Sequence, residues 1–339
     1  MKIKKEGAIG MYTGLKQTIP NITFVTMCFD LGVKDYTQVK RENRGTYEEY
    51  YLPSLALFLE NYTNVVVFCD EKTAAHLKSK GFSNKKNLKL IILSLDELPL
   101  MDLLEDFIKI YENMKIKHRT IESSFLQRDS FFFCKYLLLV LSKTKFIQYA
   151  KNQNYFNSDY FCWIDAGCMN EKYSKLWTNW NGLFKLNTEK FKCCLNMNKN
   201  YTKKDIKNLD MESVTLDTLS HLEFCAAIFY IHKDCIDKFN VAADFTLSQL
   251  MTEYKIVCSE QILWVAMLKY GYWNLFSPIR SCDYNDIMNL VATSDKIEKF
   301  SLVKILLKKL VKKILLVFCK VIFNKEKRKF YKNKIKNKF

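Results

Sequence analysis

Phe161-Cys162-Trp163-Ile164-Asp165-Ala166-Gly167-Cys168 is the stretch whose reading decides the fold. Its first four residues are apolar or aromatic, and the run stops at one acid and a glycine. That is the signature of a short buried β-strand. In an open α/β sheet, ligands sit outside the carboxyl ends of the strands. Asp165 stands at such an end, where a carboxylate can hold a divalent metal and the metal a diphosphate. Gly167 lets the backbone turn and lets a ligand approach closely. The plainer alternative is that Asp165 caps a turn after a core strand.

The same design recurs on either side of this stretch. Ile22 to Phe29 is a β-branched apolar run that meets Asp30-Leu31-Gly32, a strand and its turn. Tyr47 to Glu60 has helical apolar spacing, with Pro53 in the first turns. Asn64 to Cys69 is a second strand, ending at Asp70. Lys72 to Lys80 reads as a helix closed by Gly81, and Leu88 to Leu93 as a third strand. Strand–helix–strand alternation predicts βαβ units and a mainly parallel sheet. Ser130 to Phe146 is strongly apolar and contains Lys135. It is too short and interrupted for a bilayer span, and reads as one buried helix feeding the Trp163 strand.

Downstream, Trp177 and Trp180 fall in a polar segment, and Phe191 to Leu195 reads as a strand. His221 to His232 reads as a strand with Ala226 and Ala227 at its centre, passing close under a ligand. The two histidines that flank it are read as structural. Ser259-Glu260-Gln261 precedes an apolar helix, Ile262 to Leu268. Asn274 to Asp286 is loop-like and holds Asp283. No internal repeat is visible.

Bulk properties exclude several classes. The chain has 339 residues, 49% hydrophobic and 14% aromatic, which is ample for a packed core. Only 9 Gly and 4 Pro argue against a loop-rich sandwich or a low-complexity chain. The 12 cysteines stand mostly singly inside apolar runs, without a C-x-x-C, so buried free thiols in a reducing compartment are expected rather than disulfides or zinc. Met1 to Pro20 lacks the apolar core of a secretory signal.

The order of these pieces resembles the bacterial HtrL/YibB-like family, which belongs with GT-A-type glycosyltransferases. The matching residues are Thr23 to Gly32 (TFVTMCFDLG), Val65 to Asp70 (VVVFCD), Lys135 in its apolar helix and Trp163 to Gly167 (WIDAG). The resemblance spans roughly residues 21 to 290. It implies a GT-A-like α/β fold, Rossmann-like, with a mainly parallel sheet flanked by helices. It also implies sugar transfer from a nucleotide-sugar donor, with Mn²⁺ or Mg²⁺ as the usual cofactor. GT-A enzymes present the metal on Asp-x-Asp; here Gly167 replaces the second Asp.

Such chemistry has three requirements: hold the base and ribose, neutralise the leaving diphosphate, and aim and deprotonate the acceptor hydroxyl. Thr26, Phe29 and Asp30 at the end of the first strand, and Asp70 at the end of the second, are candidates for the donor nucleotide. The alternatives are a turn for Asp30 and a helix N-cap for Asp70. Arg128 and Lys135 are candidates for its phosphates; Lys135 sits in an apolar run, where an unpaired charge is costly. Asp165 is the metal candidate. Glu223, Glu260 and Asp283 are the candidate catalytic carboxylates.

The net charge of +17 is concentrated at one end. Ser301 to Phe339 carries fourteen Lys or Arg against one acid, Glu326. Between Ser301 and Phe323, Val303, Leu306, Leu307, Leu310, Val311, Ile314, Val317, Phe318 and Val321 fall on one helical face and six lysines on the other. A basic amphipathic helix of this kind lies in a membrane interface with its cations toward anionic lipid. Nucleic acid is the rival use of such charge, but the amphipathic pattern and the lack of any nucleic-acid motif argue against it. Three regions are therefore expected: a lead over 1–20, a GT-A-like catalytic domain over 21–290 and a membrane-associating tail over 291–339. The function expected is that of a cytoplasmic glycosyltransferase, peripheral on the inner face of the membrane. It would act on a saccharide or lipid-linked saccharide in surface-polysaccharide or lipooligosaccharide assembly. A non-catalytic membrane-associated scaffold with a degenerate fold is the alternative.

Overall fold

The structure, a computed structural model, describes residues 21–31, 47–120, 125–168, 191–196, 203–216 and 223–281. The lead, the segment with Trp177 and Trp180, His221, Asp283 and the basic tail lie outside the described residues.

The expected alternation is present. Strand β1 (Ile22–Cys28) leads through a π-helical turn (Tyr47–Tyr51) to helix α1 (Leu52–Asn61), then β2 (Val65–Cys69), α2 (Glu71–Ser79) and β3 (Leu88–Ile92). Three helices follow: α3 (Leu104–Lys117), α4 (Ser130–Leu141) and α5 (Lys143–Gln153). They return the chain to β4 (Tyr160–Ile164). The later elements are β5 (Phe191–Asn196), the short α6 (Lys203–Lys207) and α7 (Met211–Leu216), and β6 (Glu223–His232). Helices α8 (Lys233–Gln249) and α9 (Glu260–Lys269) precede β7 (Phe276–Ser281).

The strands form one sheet in the order β3-β2-β1-β4-β6-β5-β7. Strands β1 to β4 are parallel, β6 runs antiparallel to both β4 and β5, and β7 lies parallel to β5. The chain winds outward from β1 to β3, then crosses back to place β4 on the other side of β1. That reversal between β1 and β4 is a topological switch point, where an open α/β sheet forms its ligand crevice.

Burial explains why these strands read as unbroken apolar runs. Every residue of β2 and of β4 is buried. Val66, Phe68, Phe161 and Trp163 join one core cluster with Phe107 of α3, Leu137 of α4, Phe146 of α5, Ile236 of α8 and Trp264 of α9. Their neighbours Val65, Val67, Cys162 and Ile164 join a second cluster with Leu55 and Phe58 of α1 and Ala74 and Leu77 of α2. A strand covered on both faces has no solvent face on which polar residues could alternate. Each fully buried large side chain contributes roughly 1.5–3 kcal/mol of transfer free energy. Cys28, Cys69, Cys134, Cys162, Cys168, Cys235 and Cys258 are buried free thiols, in keeping with their apolar settings.

Two expectations are corrected. The apolar run Ser130 to Phe146 is not one helix: α4 ends at Leu141, Ser142 is the joint, and α5 starts at Lys143. Ser142 is fully buried and its hydroxyl donates to the Leu138 carbonyl at 2.8 Å, closing the first helix with its own side chain. The tract from Asn274 is not all loop, because Phe276 to Ser281 pairs with β5 as an edge strand. Pro278 is tolerated there because an edge strand uses only one side of its backbone for ladder bonds.

Candidate active site

The switch point brings together the carboxyl ends of β1 and β4. Asp165 follows β4 directly, and its backbone is fully committed. Its N–H donates to the Ala227 carbonyl of β6 at 2.8 Å, and its carbonyl accepts the Cys168 N–H at 2.9 Å. These bonds fix the position of the side chain, which remains 36% exposed. Its Oδ1 accepts from the indole Nε1 of Trp163 at 2.6 Å and from the ammonium of Lys143 at 2.9 Å.

Lys143 is the centre of the site. Its side chain is only 3% exposed, and it reaches Oε1 of Glu260 at 2.8 Å and the Ala226 carbonyl at 3.1 Å as well as Asp165. The ammonium also lies 5.7 Å from the centroid of the Trp163 ring. Burial works against its charge, but the Asp165 and Glu260 carboxylates outweigh burial and hold Lys143 above the usual lysine range. Glu260 is the first residue of α9 and is buried. Burial pushes its pKa up, with Lys143 opposing and the Asp165 charge adding to the rise. Residues from α5, β4, β6 and α9 meet at this one point.

Beneath it runs a stack of aromatic rings. Phe29 stacks on Phe146, Phe146 on Trp163, and Trp163 on Phe229, with centroid separations of 6.1 to 6.4 Å. The stack gives Trp163 a single orientation and so aims its N–H at Asp165. Offset-stacked rings of this kind contribute about 0.5–1.5 kcal/mol per pair beyond their burial.

Gly167 sits in the turn after Asp165 and is packed against two tyrosines. A Cβ on it would lie 2.9 Å from Cε1 of Tyr50 and 3.1 Å from Cε1 of Tyr51. The Tyr50 hydroxyl donates to the Gly167 carbonyl at 2.7 Å. The two tyrosine rings pack on the turn after Asp165 where a side chain at position 167 would project.

The other candidates divide. Asp70 caps α2, with Oδ1 accepting the Thr73 N–H at 2.7 Å, while Oδ2 accepts the Asp30 N–H at 2.6 Å. Asp30 in turn pairs with Lys72 at 2.5 Å, and Lys72 with Glu48 at 2.6 Å. Phe29 and Thr26 are both buried, Phe29 in the ring stack and Thr26 in the middle of β1. Arg128 lies over the Phe133 ring at 4.7 Å. Lys135 pairs with Asp96 at 3.7 Å and covers the Phe131 ring. Glu223 opens β6 opposite Asn196. His232 caps α8 and packs on Tyr160, as a structural histidine does. Lys143 is not among the residues that the sequence marks as candidates. Its neighbours Ser142, Thr144 and Lys145 are polar, so the local sequence gives no signal that this lysine is buried.

A divalent ion bound by protein needs several oxygen or nitrogen donors around one point. Among the described residues no group of three His, Cys, Asp or Glu side chains is arranged to hold one. The two carboxylates that do converge, Asp165 and Glu260, share the Lys143 ammonium. Among the described residues no helix is long and apolar enough to cross a membrane.

A sequence profile described as "Bacterial protein of unknown function (HtrL_YibB)" matches residues 20–293, and the chain belongs to that family. No curated protein matches the sequence. Among solved structures, mouse xyloside xylosyltransferase 1 in its apo form gives a TM-score of 0.39 at 12% identity, covering 76% of this chain and 84% of its own. Galactosyltransferase LgtC in complex with donor and acceptor sugar analogues gives 0.37 at 12% identity, covering 79% and 83%. CMP:2-keto-3-deoxy-manno-octonic acid synthetase complexed with CTP gives 0.31 at 9% identity, covering 77% and 90%.

Proposed function

We propose that this member of the HtrL_YibB family is a GT-A-type glycosyltransferase that moves a sugar from a nucleotide-sugar donor to a saccharide or lipid-linked saccharide acceptor. The reaction would serve surface-polysaccharide or lipooligosaccharide assembly at the cytoplasmic face of the membrane. One observation carries the reading. A partly exposed Asp165 stands at the carboxyl end of β4, beside the β1–β4 switch point, with one oxygen fixed by Trp163 and Lys143. Fixed acceptors at that place suit a polar ligand laid across the strand ends.

In this scheme Asp165 presents its outer oxygen to the donor. Glu260, buried and with a raised pKa, shares the Lys143 ammonium with it. A carboxyl group tuned in this way suits proton transfer from an acceptor hydroxyl. The Lys72–Asp30–Asp70 network forms the β1 end of the crevice, where the nucleotide would lie. The basic tail would hold the chain at an anionic membrane and keep the crevice near a lipid-linked acceptor.

The test is a thermal-shift panel of UDP, GDP and CMP with and without Mn²⁺, run on the full-length chain and on Asp165→Asn. A rise in Tm with one nucleotide, reduced in the variant, supports the reading. Transfer from the matching nucleotide-sugar should then fall at least 100-fold in the variant. A chain that responds to no nucleotide points to the second reading, a membrane-associated scaffold. The Tyr50 and Tyr51 rings favour that alternative, because they fill the space that a side chain at position 167 would need.

A further inference from the structure

We propose that Lys143 is the resident counter-cation of this site. Its ammonium holds Asp165 and Glu260 as one unit, in the place between two carboxylates that a divalent ion would otherwise take. The pair therefore assembles without metal.

The ammonium has three N–H bonds and the site supplies three acceptors: Asp165 Oδ1 at 2.9 Å, Glu260 Oε1 at 2.8 Å and the Ala226 carbonyl at 3.1 Å. A lysine is almost never this buried unless it is paired. The desolvation of its charge is offset only when the partners are close and the remaining donors are satisfied. Both conditions hold here. Asp165 Oδ1 has a second donor in Trp163, so neither the ammonium nor that oxygen has a free position for a further ligand. Lys143 thus acts through Asp165 and Glu260, as a positioning residue. Removing it leaves two carboxylates close together, one of them buried, with no cation between them. That arrangement is unstable unless a carboxyl takes a proton or a metal enters.

The experiment uses the full-length chain without nucleotide. Free Mn²⁺ is followed by electron paramagnetic resonance, and Tm is recorded in EDTA and in Mn²⁺. The wild-type chain should take up no Mn²⁺ at Asp165 and should melt at the same temperature in both. Lys143→Met should melt roughly 5–10 °C lower in EDTA. It should also acquire a Mn²⁺-dependent rise in Tm, because two carboxylates now face an empty position. Adding Glu260→Gln to Lys143→Met should recover part of the lost Tm and abolish the Mn²⁺ response. Should Lys143→Met fail to fold, recovery of folding by Glu260→Gln supports the proposal. Any of three results overturns it: wild-type uptake of Mn²⁺ that Asp165→Asn removes, a folded Lys143→Met without a Mn²⁺ response, or no recovery on adding Glu260→Gln. None of these readouts uses turnover, so their failure leaves the sugar-transfer reading standing, and the reverse also holds.

Discussion

Oδ2 of Asp70 accepts the backbone N–H of Asp30 at 2.6 Å, which ties the end of β2 to the end of β1. The other oxygen of the same carboxylate caps α2 at the Thr73 N–H. One side chain therefore fixes two strand ends and a helix start. Asp70→Ala removes the cap, at a cost of about 0.5–2 kcal/mol, together with a charge-assisted bond to the backbone. We expect a total loss of about 2–3 kcal/mol in urea unfolding. An unchanged midpoint would show that Asp70 does not carry this structure.

Gly167→Ala should destabilise the chain by about 1–3 kcal/mol, the usual cost of forcing a methyl group into a packed place. The contact is with the Tyr50 and Tyr51 rings, so the cost should couple to them. In a Tyr50→Ala background the same change should cost measurably less. Additive effects in a double-mutant cycle would mean that the tyrosines are not what selects glycine.

Stability of Lys143→Met should depend on pH through Glu260. Burial raises the folded-state pKa of Glu260 above its unfolded value, and Lys143 opposes that rise. A carboxyl group with a raised folded pKa contributes its full stability below the unfolded value of about 4.3. That contribution is lost as pH climbs through the folded pKa. Without Lys143 the folded pKa moves higher and the loss is larger. The difference in unfolding free energy between wild type and Lys143→Met should be small near pH 4.5 and widen toward pH 8. A gap that narrows over that range contradicts the sign of the argument.

Deleting Ser301 to Phe339 removes fourteen basic residues and the amphipathic pattern together. A cation near an anionic surface contributes about 1 kcal/mol, and salt screens it. The full-length chain should sediment with anionic liposomes, less so at high salt, while the truncated chain stays in the supernatant with an unchanged circular-dichroism spectrum. Unaltered sedimentation, or loss of the folded spectrum, would place the segment with the core and not with the membrane.

The strands were legible in the sequence because burial on both faces leaves a local mark. Val65 to Cys69 and Tyr160 to Ile164 are apolar or aromatic throughout, and Ile22 to Cys28 is broken only by the buried Thr23 and Thr26; their shortness and β-branched or aromatic content separate them from the buried helix Ile262 to Leu268. The strand-end place of Asp165 follows from the same mark, since the run stops there. Strand β7 left no such mark. Phe276 to Ser281 includes two serines, a proline and an arginine, and is a strand because β5 lies beside it.

What only the tertiary structure decided is which lysine belongs to Asp165. Lys135 lies inside the apolar run and Lys143 in the polar stretch Ser142 to Lys145 that follows it, and each carries a charge that burial would penalise. The helix break at Ser142 separates them. Lys135 is left on α4 beside Asp96, and Lys143 at the start of α5 beside Asp165. Its acceptors on Ala226 and Glu260 are 83 and 117 residues away in the chain. A lysine's local sequence states the cost of burying its charge. The partners that offset the cost are set by which distant strands and helices the sheet brings to the same end.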